Sequence, residues 1–175
     1  MRTTGEYVAL QRRCLAILRD LGVQRSLPFE AIRERVEELR GRPLVLRELP
    51  EEVAATGVCG LWMGTDKADY VFYEARTAPL HREHIILHEI GHVLCDHHRG
   101  ITNRAEDLAG PLVGDLQLQP HVVNRIMART SYTTSEEQEA EMIASLIQSA
   151  GKPGRPAGPL GRLGAFLGVT AVDSD

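Results

Sequence analysis

Lysine is nearly missing from this 175-residue chain: it stands only at Lys67 and Lys152, and all other Lys/Arg positions are arginine. No polybasic run forms and the formal net charge is -4. The surface that neutralises phosphates is therefore not built into the composition, and direct nucleic-acid binding is not expected. Cysteine is scarce as well. Cys14, Cys59 and Cys95 are odd in number, widely spaced and form no CxxC pair, which argues against a disulfide framework. No segment approaches the roughly eighteen consecutive apolar residues of a membrane span. The opening MRTTGEYVALQRR lacks the apolar stretch of a signal peptide. The expectation is a reduced, cytoplasmic protein that does not engage a membrane.

What is present is ordinary globular composition, 43% hydrophobic and 25% charged, at a length that suits one domain with a real core. Helical periodicity runs through 6–21, with Val8, Leu10, Cys14, Leu15, Ile17, Leu18 and Leu21 near one face. Pro28 opens a second helix to about residue 40, and Gly41 ends it. Three β-rich pieces follow: PLVLREL (43–49), GVCGLWMG (57–64) and DYVFYEA (69–75), the last two joined by a turn at TDKAD. Pro79 starts a helix over about 80–95, and SYTTSEEQEAEMIASLIQSAG supplies a final one with a Ser or Thr cap at 133–135. RAEDLAG and PHVVNRIMAR read as two shorter helices between them. The fold class expected is α+β, a small, mostly antiparallel three-stranded sheet packed against helices. Residues 1–150 form one domain, with 1–24 as its N-terminal helix and 99–133 as a variable insert. Three prolines and five glycines within 151–164 make 151–175 a mobile tail.

Five of the seven histidines fall in HIILHEIGHVLCDHH, residues 84–98. Within it, His88 and His92 are four apart, a rotation of only about 40° on an α-helix, so both rings share one face and two imidazole nitrogens can reach one ion. Glu89 lies one residue off that axis, where it can touch a metal-bound water instead of the ion. This HExxH spacing on a helix is a zinc-hydrolase pattern. Ile85, Ile86, Leu87, Ile90, Val93 and Leu94 make the rest of the helix apolar, and two histidines and a glutamate in such a helix are costly unless something satisfies them. The alternative is a chance match in an ordinary core helix. Gly91 leaves room for close packing or for substrate.

A third protein ligand is needed. His98 sits at the third-ligand position of HExxHxxGxxH, but Cys95 stands where that pattern needs glycine; Cys95 itself reads as a buried thiol. SEEQEAEMIA offers Glu136, Glu137, Glu139 and Glu141. Glu137 precedes Ala140 by three and Ala144 by seven, which puts it on the buried side at the wet end. Glu141, a turn further in, can orient a ligand histidine by hydrogen bonding. Glu136 and Glu139 read as solvated. The competing reading makes all four a helix-start charge run.

HEIGH together with Glu137-x-x-Ala140-Glu141-x-Ile143-Ala144 resembles the ImmA/IrrE family of zinc peptidases over about residues 25–150. The resemblance implies a zincin-like fold, one Zn²⁺ per chain on His88, His92 and Glu137, and Glu89 as general base. Glu141 stands where that family usually has Asn or Asp, and Ile143 where it has Phe. The family's Leu-Met-Pro after this helix is replaced by LIQSAG, and the gap from His92 to Glu137 is longer. Glu106-x-x-Ala109 is a second partial match, stopped by Gly110-Pro111. The family further implies cleavage or inactivation of a helix-turn-helix transcriptional regulator as protein partner.

The chemistry so implied is attack of a zinc-bound water on a peptide carbonyl, with Glu89 taking and passing on its proton. His84, His121 and Tyr132 are the candidate oxyanion donors, and His81 and His97 read as surface residues. An extended peptide can add to a free edge of DYVFYEA or GVCGLWMG; Trp62 lines a pocket there or belongs to the core. A zinc-containing regulatory binding protein with little or no proteolysis is the other function compatible with the same ligands.

Overall fold

A computed structural model of the chain describes residues 4–23, 27–55, 57–65, 67–97 and 132–150. His98, Glu106, His121, the expected helices at 104–110 and 120–129, and the 151–175 tail lie outside these residues. Among them are five helices, α1 (Thr4–Asp20), α2 (Phe29–Arg40), α3 (Glu51–Ala54), α4 (Pro79–Cys95) and α5 (Thr134–Ala150), and three strands, β1 (Leu44–Glu48), β2 (Gly60–Gly64) and β3 (Asp69–Tyr73). A mixed three-stranded sheet packs against the helices as an α+β fold. No helix among the described residues is long and apolar enough to cross a membrane.

The sheet order is β1-β3-β2. β2 and β3 form the antiparallel hairpin expected from TDKAD, with Trp62 opposite Val71. Its turn is tied by Thr65, whose hydroxyl donates to the Ala68 carbonyl at 2.8 Å and accepts from the Ala68 N–H at 3.0 Å. β1, however, runs parallel to β3, with Leu46 opposite Val71. The expectation of a mostly antiparallel sheet is corrected at this point. The segment between Glu48 and Gly60, including the unforeseen α3, carries the chain across β3 to the far edge, so β1 never pairs with β2.

Strand alternation sorts side chains onto two faces. Trp62 and Val71 join Leu10, Cys14, Val36, Leu87, Ile90 and Ile143 in the main core between sheet and helices. Leu61, Met63, Tyr70 and Phe72 face the other way, under Val53 of α3. Trp62 is 1% exposed and donates its indole N–H to Asp69 at 2.9 Å, so it belongs to the core. In α1 the buried stripe is narrower than its periodicity suggests: Leu10, Cys14 and Leu18 are buried, but Val8 and Leu15 are exposed.

Asp69 anchors the start of β3. Its buried carboxylate accepts from Arg42 Nε and Nη2, both at 2.8 Å, and from Arg40 Nε at 3.0 Å. Burial pulls the carboxyl upward, yet the hydrogen bonds from Arg42, Arg40 and Trp62 outweigh it and hold Asp69 below the usual carboxylate range. Arg40 also reaches Asp96 at 3.6 Å, which ties the C-terminal end of α4 to the sheet.

Candidate metal centre

α4 and α5 approach unusually closely. A Cβ on Gly91 would lie 2.8 Å from both Cα and O of Ala140, so only glycine lets the two backbones meet there. This crossing sets the distance between the histidine face of α4 and the first turn of α5. The start of α5 is fixed independently by a reciprocal capping pair. Thr133 N–H donates to Glu136 Oε2 at 2.7 Å, and Glu136 N–H donates to Thr133 Oγ1 at 3.3 Å. Glu136 is thus a capping residue, and Glu137, next to it, points across to α4.

His88, His92 and Glu137 each offer a ligand atom to one point, all within 4.8 Å of one another. The two Nε2 atoms are 3.2 Å apart, Glu137 Oε2 lies 3.3 Å from His88 Nε2, and Glu137 Oε1 lies 3.8 Å from His92 Nε2. Zinc bonds of about 2.0–2.1 Å at tetrahedral angles put neighbouring donors about 3.3–3.4 Å apart. The two separations measured from His88 Nε2 match this spacing, and a small inward shift of the exposed Glu137 side chain toward His92 brings the third to it.

Glu89 sits beside this triangle and is 6% exposed. Burial, and then the negative charge of Glu137, push its carboxyl up to about 8, while the backbone N–H of Trp62 pulls it down. Its Oε2 has no hydrogen-bond partner among the described residues. A buried carboxylate oxygen left unpaired is expensive; a water held between it and the three donors would satisfy it. Gly60 shapes this position, since a Cβ there would fall 2.5 Å from Glu89 Oε1.

Glu141 Oε2 lies 3.7 Å from His88 Nδ1, longer than a hydrogen bond, and 2.9 Å from His84 Nε2. His84 is also 3.0 Å from Gln148 Oε1 through Nδ1. Its ring spans two α5 side chains, which braces Glu141. The Tyr132 ring stacks on His92, centroids 3.6 Å apart. Burial, and then the charges of Glu89, Glu137 and Glu136, raise the Tyr132 hydroxyl well above its usual range, so it stays protonated and remains a donor.

Two residues that read as surface positions are not. The His97 side chain is 6% exposed and that of Glu139 is 12% exposed. His97 Nδ1 lies 2.8 Å from His92 Nδ1, His97 Nε2 lies 3.3 Å from Glu139 Oε2, and Glu139 is salt-bridged to Arg13 of α1. Cys95, His97 and Glu139 form a second group with donor atoms within 4.8 Å. His97 reaches inward because Asp96 takes the left-handed conformation, φ 51°, and His97 N–H returns to the His92 carbonyl at 3.2 Å. The signal available in the sequence was Asp96 itself, since Asp tolerates that conformation better than most non-glycine residues.

A cleft of about 570 Å³ opens over the triangle, walled by α4 on one side and by Val58, Cys59 and Gly60 on the other. A second cavity of about 560 Å³ continues past His88, Glu137 and Glu141 toward Tyr7 and Met142. Both lie within the usual size of ligand sites. No family model, curated protein or solved structure matches the chain.

Proposed function

We propose that this protein is a zinc-dependent endopeptidase with a zincin-like domain, akin to the ImmA/IrrE family that its HEIGH and Glu137–Ala144 segments resemble. The observation that carries this reading is the convergence of His88, His92 and Glu137 beside a buried carboxylate with an unpaired oxygen. Zinc, when bound, makes water acidic near neutral pH and polarises a carbonyl. Glu89 takes the proton of the attacking water and hands it to the leaving amine. The ion's positive charge opposes the burial and the Glu137 charge that favour protonated Glu89, so the basic form is available when the site is loaded. Tyr132 is the donor for the developing oxyanion, being protonated and stacked on a ligand ring.

Substrate enters as an extended strand. β3 is flanked on both sides, which removes DYVFYEA as a docking edge, while β2 pairs with β3 alone among the described residues. Residues 57–60, which lead into β2, line the cleft and offer main-chain groups to a peptide. The partner we propose is a helix-turn-helix transcriptional regulator. The test is to incubate the zinc-loaded full chain with such regulators and follow intact mass, alongside Glu89→Gln and a chelated control. Cleavage of one regulator by the wild type alone is the expected result. Tight binding of a regulator without cleavage would replace the peptidase with a zinc-bearing regulatory binding protein.

A further inference from the structure

We infer that His97 is a positioning residue that holds the ligand His92 in its metal-binding tautomer, through a relay running His92–His97–Glu139–Arg13. The inference rests on the metal reading above and goes beyond it to residues outside the HExxH spacing. A ring that binds an ion through Nε2 carries its proton on Nδ1. His92 Nδ1–H then faces His97 Nδ1 at 2.8 Å, which must accept. His97 accordingly carries its own proton on Nε2, and that atom faces Glu139 Oε2 at 3.3 Å. Glu139, an acceptor only, is held from its other side by Arg13. The two imidazole donors both point outward from the metal and converge with Arg13 on the Glu139 carboxylate, which accepts from both sides, and the guanidinium at the end of the relay reaches solvent. Such partners keep a ligand ring oriented and raise its basicity.

The same logic decides what the second cluster is. Cys95, His97 and Glu139 have the donor spacing of a metal site, but an ion there needs His97 Nε2 without its proton. The proton would move to His97 Nδ1 and confront the Nδ1–H of metal-bound His92 across 2.8 Å. The two groups cannot both bind an ion with neutral imidazoles, so the second serves the first.

The experiment is zinc affinity of the full chain by competition with a chromophoric chelator, for wild type, His97→Phe, His97→Gln and Glu139→Gln. His97→Phe keeps the ring volume and removes the acceptor, and should weaken zinc about 10- to 100-fold. His97→Gln restores an acceptor and should recover part of the loss. Glu139→Gln should cost less than His97→Phe. A purely structural role would show no rescue by Gln. Nitrogen-15 NMR of the zinc-loaded wild type reads the tautomers directly, even if His97→Phe fails to fold. The expected pattern is Nδ1–H on His92 and Nε2–H on His97. A folded His97→Phe with wild-type affinity, Nδ1–H on His97, or two tightly bound zinc ions per chain would each overturn the relay. A wild type that binds no zinc overturns the metal reading and the relay together, whereas one zinc with an indifferent His97 overturns the relay alone.

Discussion

Replacing Gly91 with alanine tests whether the α4–α5 crossing builds the metal centre. In a helix exposed on all sides the change would stabilise by about 1 kcal/mol, because glycine is the poorer helix former. Here the new methyl meets Cα and O of Ala140 at 2.8 Å, and ordinary contact begins near 3.4 Å. Those are backbone atoms that cannot rotate aside, so the helices must part by roughly 0.6 Å at this crossing. Overpacking of this kind costs about 1–3 kcal/mol, and with no side chain to yield, the upper part of that range applies. The net effect should be a loss of about 1–2 kcal/mol in urea unfolding of the metal-free protein. Glu137 rides on α5 one turn before Ala140, and a ligand set tolerates only about 0.2 Å in bond distance. Zinc affinity should therefore fall by roughly 10-fold or more. Adding Ala140→Gly should not rescue either property, because the clash is with the main chain. An unfolding midpoint at or above wild type, with zinc affinity unchanged, would refute the reasoning.

Gly60→Ala would press on the Glu89 carboxylate, so it should lower peptide cleavage strongly while leaving one zinc bound; equal loss of metal would mean Glu89 is itself a ligand. Glu89 also predicts a pH effect. Its carboxyl titrates at about 8 in the folded, metal-free chain against 4.5 in the reference state, so the folded form keeps a proton that the unfolded form releases. That contribution to stability is complete below about 4.5 and is lost as pH rises through about 8. Urea midpoints against pH should fall across that window more steeply for wild type than for Glu89→Gln, and parallel curves would contradict the assignment. Asp69→Ala removes the buried carboxylate that Arg40, Arg42 and the Trp62 indole share and should cost about 3 kcal/mol in unfolding free energy, the lower end for breaking a buried pair because both arginines reach water; a cost under about 1 kcal/mol would show that the remaining contacts of the arginines suffice.

The α4 and α5 spans, and the approach of His88, His92 and Glu137, were legible because helical periodicity is local: four residues apart is one face, and alanines mark the side another helix covers. The topology was less so. Nothing in PLVLREL records which neighbour it pairs with, and the short α3 that redirects the chain carries no long periodic pattern. Glu139 looked solvated because it sits among glutamates, yet its environment is set by Arg13, far away in sequence. His97 was missed for a different reason. The turn that brings it inward occurs at Asp96 and not at a glycine, so the usual signal for a helix end was absent. Gly91 admitted close packing or substrate on sequence grounds, and only the position of Ala140 decides for packing.

The most direct test is the zinc K-edge X-ray absorption spectrum of the zinc-loaded full chain. A centre built from His88, His92 and Glu137 gives one zinc per chain with nitrogen and oxygen scatterers at about 2.0–2.1 Å, imidazole outer shells and no sulfur. The spectrum should keep that form in Glu89→Gln, and zinc binding should be lost in His92→Ala. A sulfur shell at about 2.3 Å would move the metal to Cys95, and a chain that takes up no zinc would contradict the metal centre altogether.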